Sequence, residues 1–107
     1  MELWIGLACL TANPRSKDFR RFGDGKGAYV QIVAWAKDRE HFEQRIKHSV
    51  DELDCILRDL DDVELLESKM ERGDCSEEVL SMRDTALRQT EDIIYGTFHT
   101  WLESDVN

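Results

Sequence analysis

Asp54, Asp59, Asp61, Asp62, Glu64 and Glu67 place six carboxylates within fourteen residues, with Arg58 as the one cation among them. If residues 55–60 run on as a strand, Asp59 and Asp61 share one face, with Asp62 beside them. Paired carboxylates of this kind can hold Mg²⁺ or keep shifted pKa values for acid–base work. Here they belong to a longer acidic tract that begins at Asp51 and Glu52. A solvated acidic surface is the simpler account, and the tract reads as charge for a partner rather than as catalysis.

The remaining chemistry-bearing residues are scattered. His41 and His48 fall on one helix face, but seven residues separate them by about 10.5 Å along the axis. One zinc ion with bonds of about 2 Å cannot take both. Cys9, Cys55 and Cys75 are odd in number and irregular in spacing, a poor disulfide framework. They read as reduced thiols, and hence as a cytoplasmic setting. Cys75 lies near an expected helix start, where a thiolate is favoured, but no histidine is its neighbour in sequence. Residues 23–27 (GDGKG) are glycine-rich yet precede a strand, whereas a phosphate cradle opens a helix. No metal and no cofactor is expected.

These residues need elements to position them. Residues 3–11 alternate Leu3, Ile5, Leu7 and Cys9 with Trp4, Gly6, Ala8 and Leu10, which reads as a strand covered on both faces. Asn13-Pro14 ends it. A basic segment follows, with Arg15, Lys17, Arg20, Arg21 and Lys26 around Phe19 and Phe22. It could touch nucleic acid by charge and stacking. Residues 28–36 (AYVQIVAWA) form the clearest strand, again apolar on both faces. Asp38 is placed to cap a helix over 39–53. In it Phe42, Ile46, Ser49, Val50 and Leu53 fall within an arc of about 100°.

Residues 55–60 and 63–66 read as a third strand, kinked or split at Asp61-Asp62. Asp74 with Glu77 has capping-box spacing for a second helix over 75–90. Val79, Leu80, Met82, Ala86, Leu87 and Thr90 should face inward there. Arg83 falls inside that stripe, where it must snorkel or pair with a carboxylate. Residues 93–102 (IIYGTFHTWL) read as a closing strand by their Ile, Tyr, Thr, Phe and Trp content, while Ile94, Phe98 and Trp101 at helical spacing leave a continuation of the second helix open. The order β-β-α-β-α-β predicts an α+β, two-layer sandwich: a mostly antiparallel sheet with two helices on one face, ferredoxin-like in its nearest named form.

A chain of 107 residues, 41% of them hydrophobic, supplies one core and reads as a single domain, 1–107. No apolar run reaches the span of a bilayer, so no membrane partner is expected. Residues 1–11 carry Glu2 and lack a basic start, against a secretory signal. The net charge of −9 argues against a general nucleic-acid binder. That charge is uneven: residues 1–37 hold six basic against three acidic side chains, and residues 38–107 eight against twenty. Such a division points to electrostatic complementarity with something else.

Residues 29–36 (YVQIVAWA), Asp38, Phe42, residues 60–64 (LDDVE) and residues 95–101 (YGTFHTW) together resemble small bacterial immunity proteins. These are acidic domains encoded beside polymorphic toxins, such as those of contact-dependent growth inhibition. The resemblance is one of size, acidity and layout, and it transfers no residue. It implies a cytoplasmic protein that binds a cognate basic toxin domain, often a nuclease, and blocks it without catalysis. Two other classes stay open. One is a ferredoxin-like regulatory or ligand-binding domain acting as a homo-oligomer. The other is a small enzyme whose site joins Cys75, His99 and the acidic tract.

Overall fold

The computed structural model describes residues 1–15 and 27–101, so most of the basic segment, residues 16–26, lies outside the described residues. Two long strands, β1 (Glu2–Ala12) and β2 (Gly27–Ala36), pair antiparallel from Glu2 opposite Ala36 to Thr11 opposite Gly27. The helix α1 (Arg39–Glu52) returns the chain to β3 (Cys55–Leu65), which pairs antiparallel with the other side of β1. Two further helices follow, α2 (Leu66–Glu71) and α3 (Glu77–Arg88). The chain then lays two short strands, β4 (Ile94–Tyr95) and β5 (His99–Trp101), along the outer side of β2. The result is an α+β fold on an open antiparallel sheet of order β3-β1-β2-β4, with β5 also on β2. The ferredoxin-like order expected from the sequence is not confirmed by this path.

The two helices expected on one face lie on opposite faces. One face of β1 and β2 presents Gly6, Ala8, Leu10, Val30, Ile32, Ala34 and Ala36. Against it α1 packs Phe42, Ile46 and Val50, all fully buried. The small residues in the strands let the helix come close: a Cβ placed on Gly6 would sit 3.2 Å from the Phe42 ring. The other face presents Leu3, Ile5 and Val33 to Leu66 and Met70 of α2 and to Val79, Met82 and Ala86 of α3. The physical reason is visible in the strands themselves. Both faces of β1 and β2 are apolar, and a single helical layer would leave one of them in water.

Local signals explain the ends. The Asp38 carboxylate accepts the His41 N–H at 2.8 Å, the expected N-cap. His41 Nδ1 in turn accepts the Lys37 N–H at 3.0 Å, so that histidine serves the helix start. Helix α3 begins two residues later than expected, and the Asp74–Glu77 box is not its cap. Ser76 Oγ accepts the Val79 N–H instead, while Asp74 takes the Arg72 guanidinium at 3.1 Å. The inward stripe of α3 is narrower than expected, because Leu80 and Leu87 are exposed. Residue 66, read as strand, opens α2, whose Leu66 and Met70 sit one turn apart on the sheet side.

The closing strand exists, but it is broken. Between the Tyr95–Ile32 and His99–Tyr29 pairs, three residues of the outer strand face two of β2. The Gly96 N–H donates to the Gln31 carbonyl at 2.8 Å, and Glu78 Oε1 accepts the Thr97 N–H at 2.5 Å. A Cβ at Gly96 would collide with that same Glu78 oxygen and stand 3.0 Å from the Met82 sulfur. Both side-chain ends can swing aside, but Glu78 then gives up the Thr97 N–H, so Gly96→Ala is expected to cost about 1 kcal/mol, the net worth of one hydrogen bond. Urea denaturation would read it, and an unchanged midpoint would mean that the turn does not lie under α3.

Candidate partner-binding face

Among the described residues, only half of the α2/α3 face of the sheet is covered. Register and alternation set its side chains in rows across the strands. The row Glu64, Ile5, Val33 and Ile94 lies against α2 and α3. The next row holds Asp61, Leu7 and Gln31, and the one beyond it Asp59, Cys9, Tyr29 and His99. Among the described residues nothing packs over these two rows. Tyr29 is 45% exposed, Asp59, Asp61 and His99 are exposed, and Leu7, Cys9 and Gln31 are half-buried. Opposed side chains on neighbouring strands sit about 5 Å apart, so each row is one continuous surface.

Asp59 and Asp61 share this face, as the sequence predicts, because they lie between two irregularities of β3 rather than across one. Arg58 is the extra residue opposite the Cys9–Leu10 step, and Asp62 with Val63 faces Gly6 alone. Asp62 occupies the left-handed region, at φ 53°, which aspartate tolerates better than most side chains. Arg58 donates to Thr11 Oγ1 at 2.9 Å, which turns its charge toward β1.

The electrostatics match the geometry. The Asp59 carboxylate, more than any other group, raises the Asp61 carboxyl above its ordinary value. Partial desolvation, a hydrogen bond with Asp59 and the charge of Asp62 add to it. The Tyr29 hydroxyl is likewise raised. The Cys9 sulfur beside it acts first, through charge and a hydrogen bond, followed by desolvation and by Asp59 and Asp61. The two shifted groups, Tyr29 and Asp61, thus lie on one patch built from three strands.

The other acidic residues go elsewhere. Glu64 is engaged by Arg72 through two hydrogen bonds of 2.6 and 2.9 Å, and the first effect of that guanidinium is to hold its carboxyl below the usual value. Glu67 sits in the first turn of α2 and is exposed. Asp54 lies at the far end of β3, at φ 59° in the turn after α1, near Lys47 and Asp51. The six carboxylates therefore form one pair with a neighbour at the bulge, one ion pair, and two outliers. Cys75 packs with the Ile5–Val79 cluster, while His99 lies opposite Tyr29, so the structure does not bring those two together.

Leu7, Cys9, Tyr29 and Gln31 were missed as site residues. The signal lay in β2, whose face carries Trp35 and Val33 and then changes to Gln31 and Tyr29, the point at which cover stops. Because β3 is an edge strand, its charges and irregularities also protect its outer side from pairing with another chain. Edge protection accounts for Asp62 at the bulge. It does not require two carboxylates side by side on one face of that strand, in the same rows as an exposed tyrosine.

Among the described residues no three His, Cys, Asp or Glu side chains converge as a metal site would need. Cys9, Cys55 and Cys75 are thiols, not disulfides. No helix among the described residues is long and apolar enough to cross a membrane. Compared with protein-family models, curated proteins and solved structures, the chain matches none.

Proposed function

We propose that the protein is a cytoplasmic immunity protein that binds a basic toxin domain, a nuclease by preference, and blocks it without chemistry. The observation that carries the reading is the Asp59–Asp61 pair on the part of the sheet face that α2 and α3 leave open, held in mutual repulsion beside the exposed Tyr29. Repelling carboxylates oppose folding and are kept where a cation of a partner relieves them. Tyrosine beside them fits protein recognition, because aromatic side chains are enriched at interface cores. A nuclease surface that holds phosphate is basic and supplies the complement. Asp59 and Asp61 form the centre of this interface and Asp62 its rim. Asp54, Glu64 and Glu67 contribute long-range attraction.

The other reading, a ferredoxin-like regulatory domain acting as a homo-oligomer, has the strand order and the helices on both faces against it. The net charge of −9 also opposes self-association. The test is surface-plasmon kinetics against the product of the neighbouring gene at two salt concentrations, together with inhibition of that product's activity. Stoichiometric inhibition and a complex weakened by Asp61→Lys with Asp62→Lys are expected. Unchanged affinity after both reversals removes the tract from the interface, and absence of any complex overturns the reading.

A further inference from the structure

A second surface lies at the opposite end of the same sheet face, where the first residues of β1, the end of β2, α2 and α3 leave an open groove of about 540 Å³. Its floor is apolar, formed by Leu3, Trp35, Leu66, Met70 and Leu87. Two of these define its character. The Trp35 indole is fixed in place, its Nε1 donating to the Ala86 carbonyl at 2.9 Å. Leu87 is 45% exposed, at the edge of the face that α3 packs on the sheet. A rigid aromatic wall beside exposed aliphatic side chains is the form of an anchor pocket.

The rim is acidic. Glu2, Glu67 and Glu71 line the groove, and no ion pair engages any of them among the described residues. Two cations share the lining, the Met1 ammonium and Arg83, and the second lies 3.8 Å from Asp84, its own neighbour on α3. This is also where the arginine that interrupts the apolar stripe of α3 goes: to the groove, not the core.

We propose that this groove docks an amphipathic basic segment of a partner protein, one large aliphatic or aromatic side chain seated against Trp35 and Leu87, with flanking Lys or Arg on Glu2, Glu67 and Glu71. Charge selects this occupant. A second copy would bring the same carboxylates onto themselves in a protein that already carries −9. An anionic ligand would meet three carboxylates, with the Met1 ammonium and an Arg83 that already faces Asp84 to set against them. The proposal stands apart from the Asp59–Asp61 pair: the groove has its own apolar floor, and of the acidic residues assigned above it shares only Glu67.

The experiment uses the full chain labelled with ¹⁵N and three synthetic helical peptides: one with a Leu stripe and Lys elsewhere, one with the Leu stripe replaced by Ser, and one with Lys replaced by Glu. The Leu/Lys peptide is expected to shift the Trp35 indole, Met70 and Leu87 signals. Leu87→Lys should weaken it at least tenfold and Glu67→Gln several-fold, with Asp61→Asn leaving it unchanged. Leu87 is exposed, so its variant should fold, and thermal unfolding checks that it does. The proposal is overturned if the Ser peptide binds as well as the Leu peptide, if the shifts map to Tyr29 and Asp61, or if no peptide binds. Concentration-dependent shifts at Leu87 in the protein alone would name a second copy as the occupant and overturn it too.

Discussion

Phe42→Ala is expected to cost about 3–5 kcal/mol, the range for removing a buried aromatic side chain. Natural domains hold only about 5–15 kcal/mol in total, so the loss takes a large share of the stability. The ring is fully buried and lies over Gly6, whose absent side chain makes room for it. A Cβ at Gly6 would stand 3.1 Å from Leu60 Cδ1, 3.2 Å from Phe42 Cε2 and 3.3 Å from Val63 Cγ2. Gly6→Ala alone should therefore destabilise, by about 1–3 kcal/mol. Combined with Phe42→Ala, part of that second cost should vanish, because the methyl enters the space that the ring leaves. Urea unfolding of the four proteins gives the coupling. Strict additivity would mean that α1 does not pack on the Gly6 face.

That cycle also probes what was legible in the sequence. The stripe Phe42, Ile46, Val50 and the cap at Asp38 were readable because both follow from local rules: helical spacing and a side-chain acceptor before the first turn. The double apolar character of β1 and β2 was equally readable. It calls for cover on both faces, which two helices in one layer do not supply. Helix α2 was hidden because its six residues follow β3 directly, with no capping side chain at Leu65 to mark the start.

The candidate site was half legible. Asp59 and Asp61 were placed on one face by simple alternation, which holds between the irregularities at Arg58 and at Asp62. The partners of that pair come from β1 and β2, through pairings some fifty residues apart in sequence between β1 and β3. Register across such a distance is set by the whole sheet, and one slip would send Cys9 and Tyr29 to the other face. The scattering of Asp54, Glu64 and Glu67 has the same cause. A tract contiguous in sequence follows a strand, a bulge and a helix start, and so points in several directions.

The sharpest expectation concerns the carboxylate pair, where stability and binding should move in opposite directions. Asp61 has its folded-state pKa raised above 3.8, mainly by Asp59. A group so raised favours folding while it is protonated, fully so below its unfolded value, and that contribution is lost as pH rises through the folded value. At neutral pH the pair thus opposes folding. Asp61→Asn is expected to raise the thermal midpoint at about pH 7 and to leave it unchanged at about pH 3, where both forms are neutral. Glu64 runs the other way: its lowered carboxyl supports folding above its ordinary 4.5, and that support fades as pH falls through the lower folded value. The two are separable by their single variants. In the complex the order reverses. Asp59→Ala with Asp61→Ala removes charges from the centre of the face, and the loss should appear in dissociation and reach about 2–5 kcal/mol. Asp62→Lys acts at the exposed bulge, so it should slow association and deepen the salt dependence. A variant at Asp61 that stabilises the free protein without weakening any complex would mark the pair as edge protection alone, since a binding surface keeps its repulsion only where a partner relieves it.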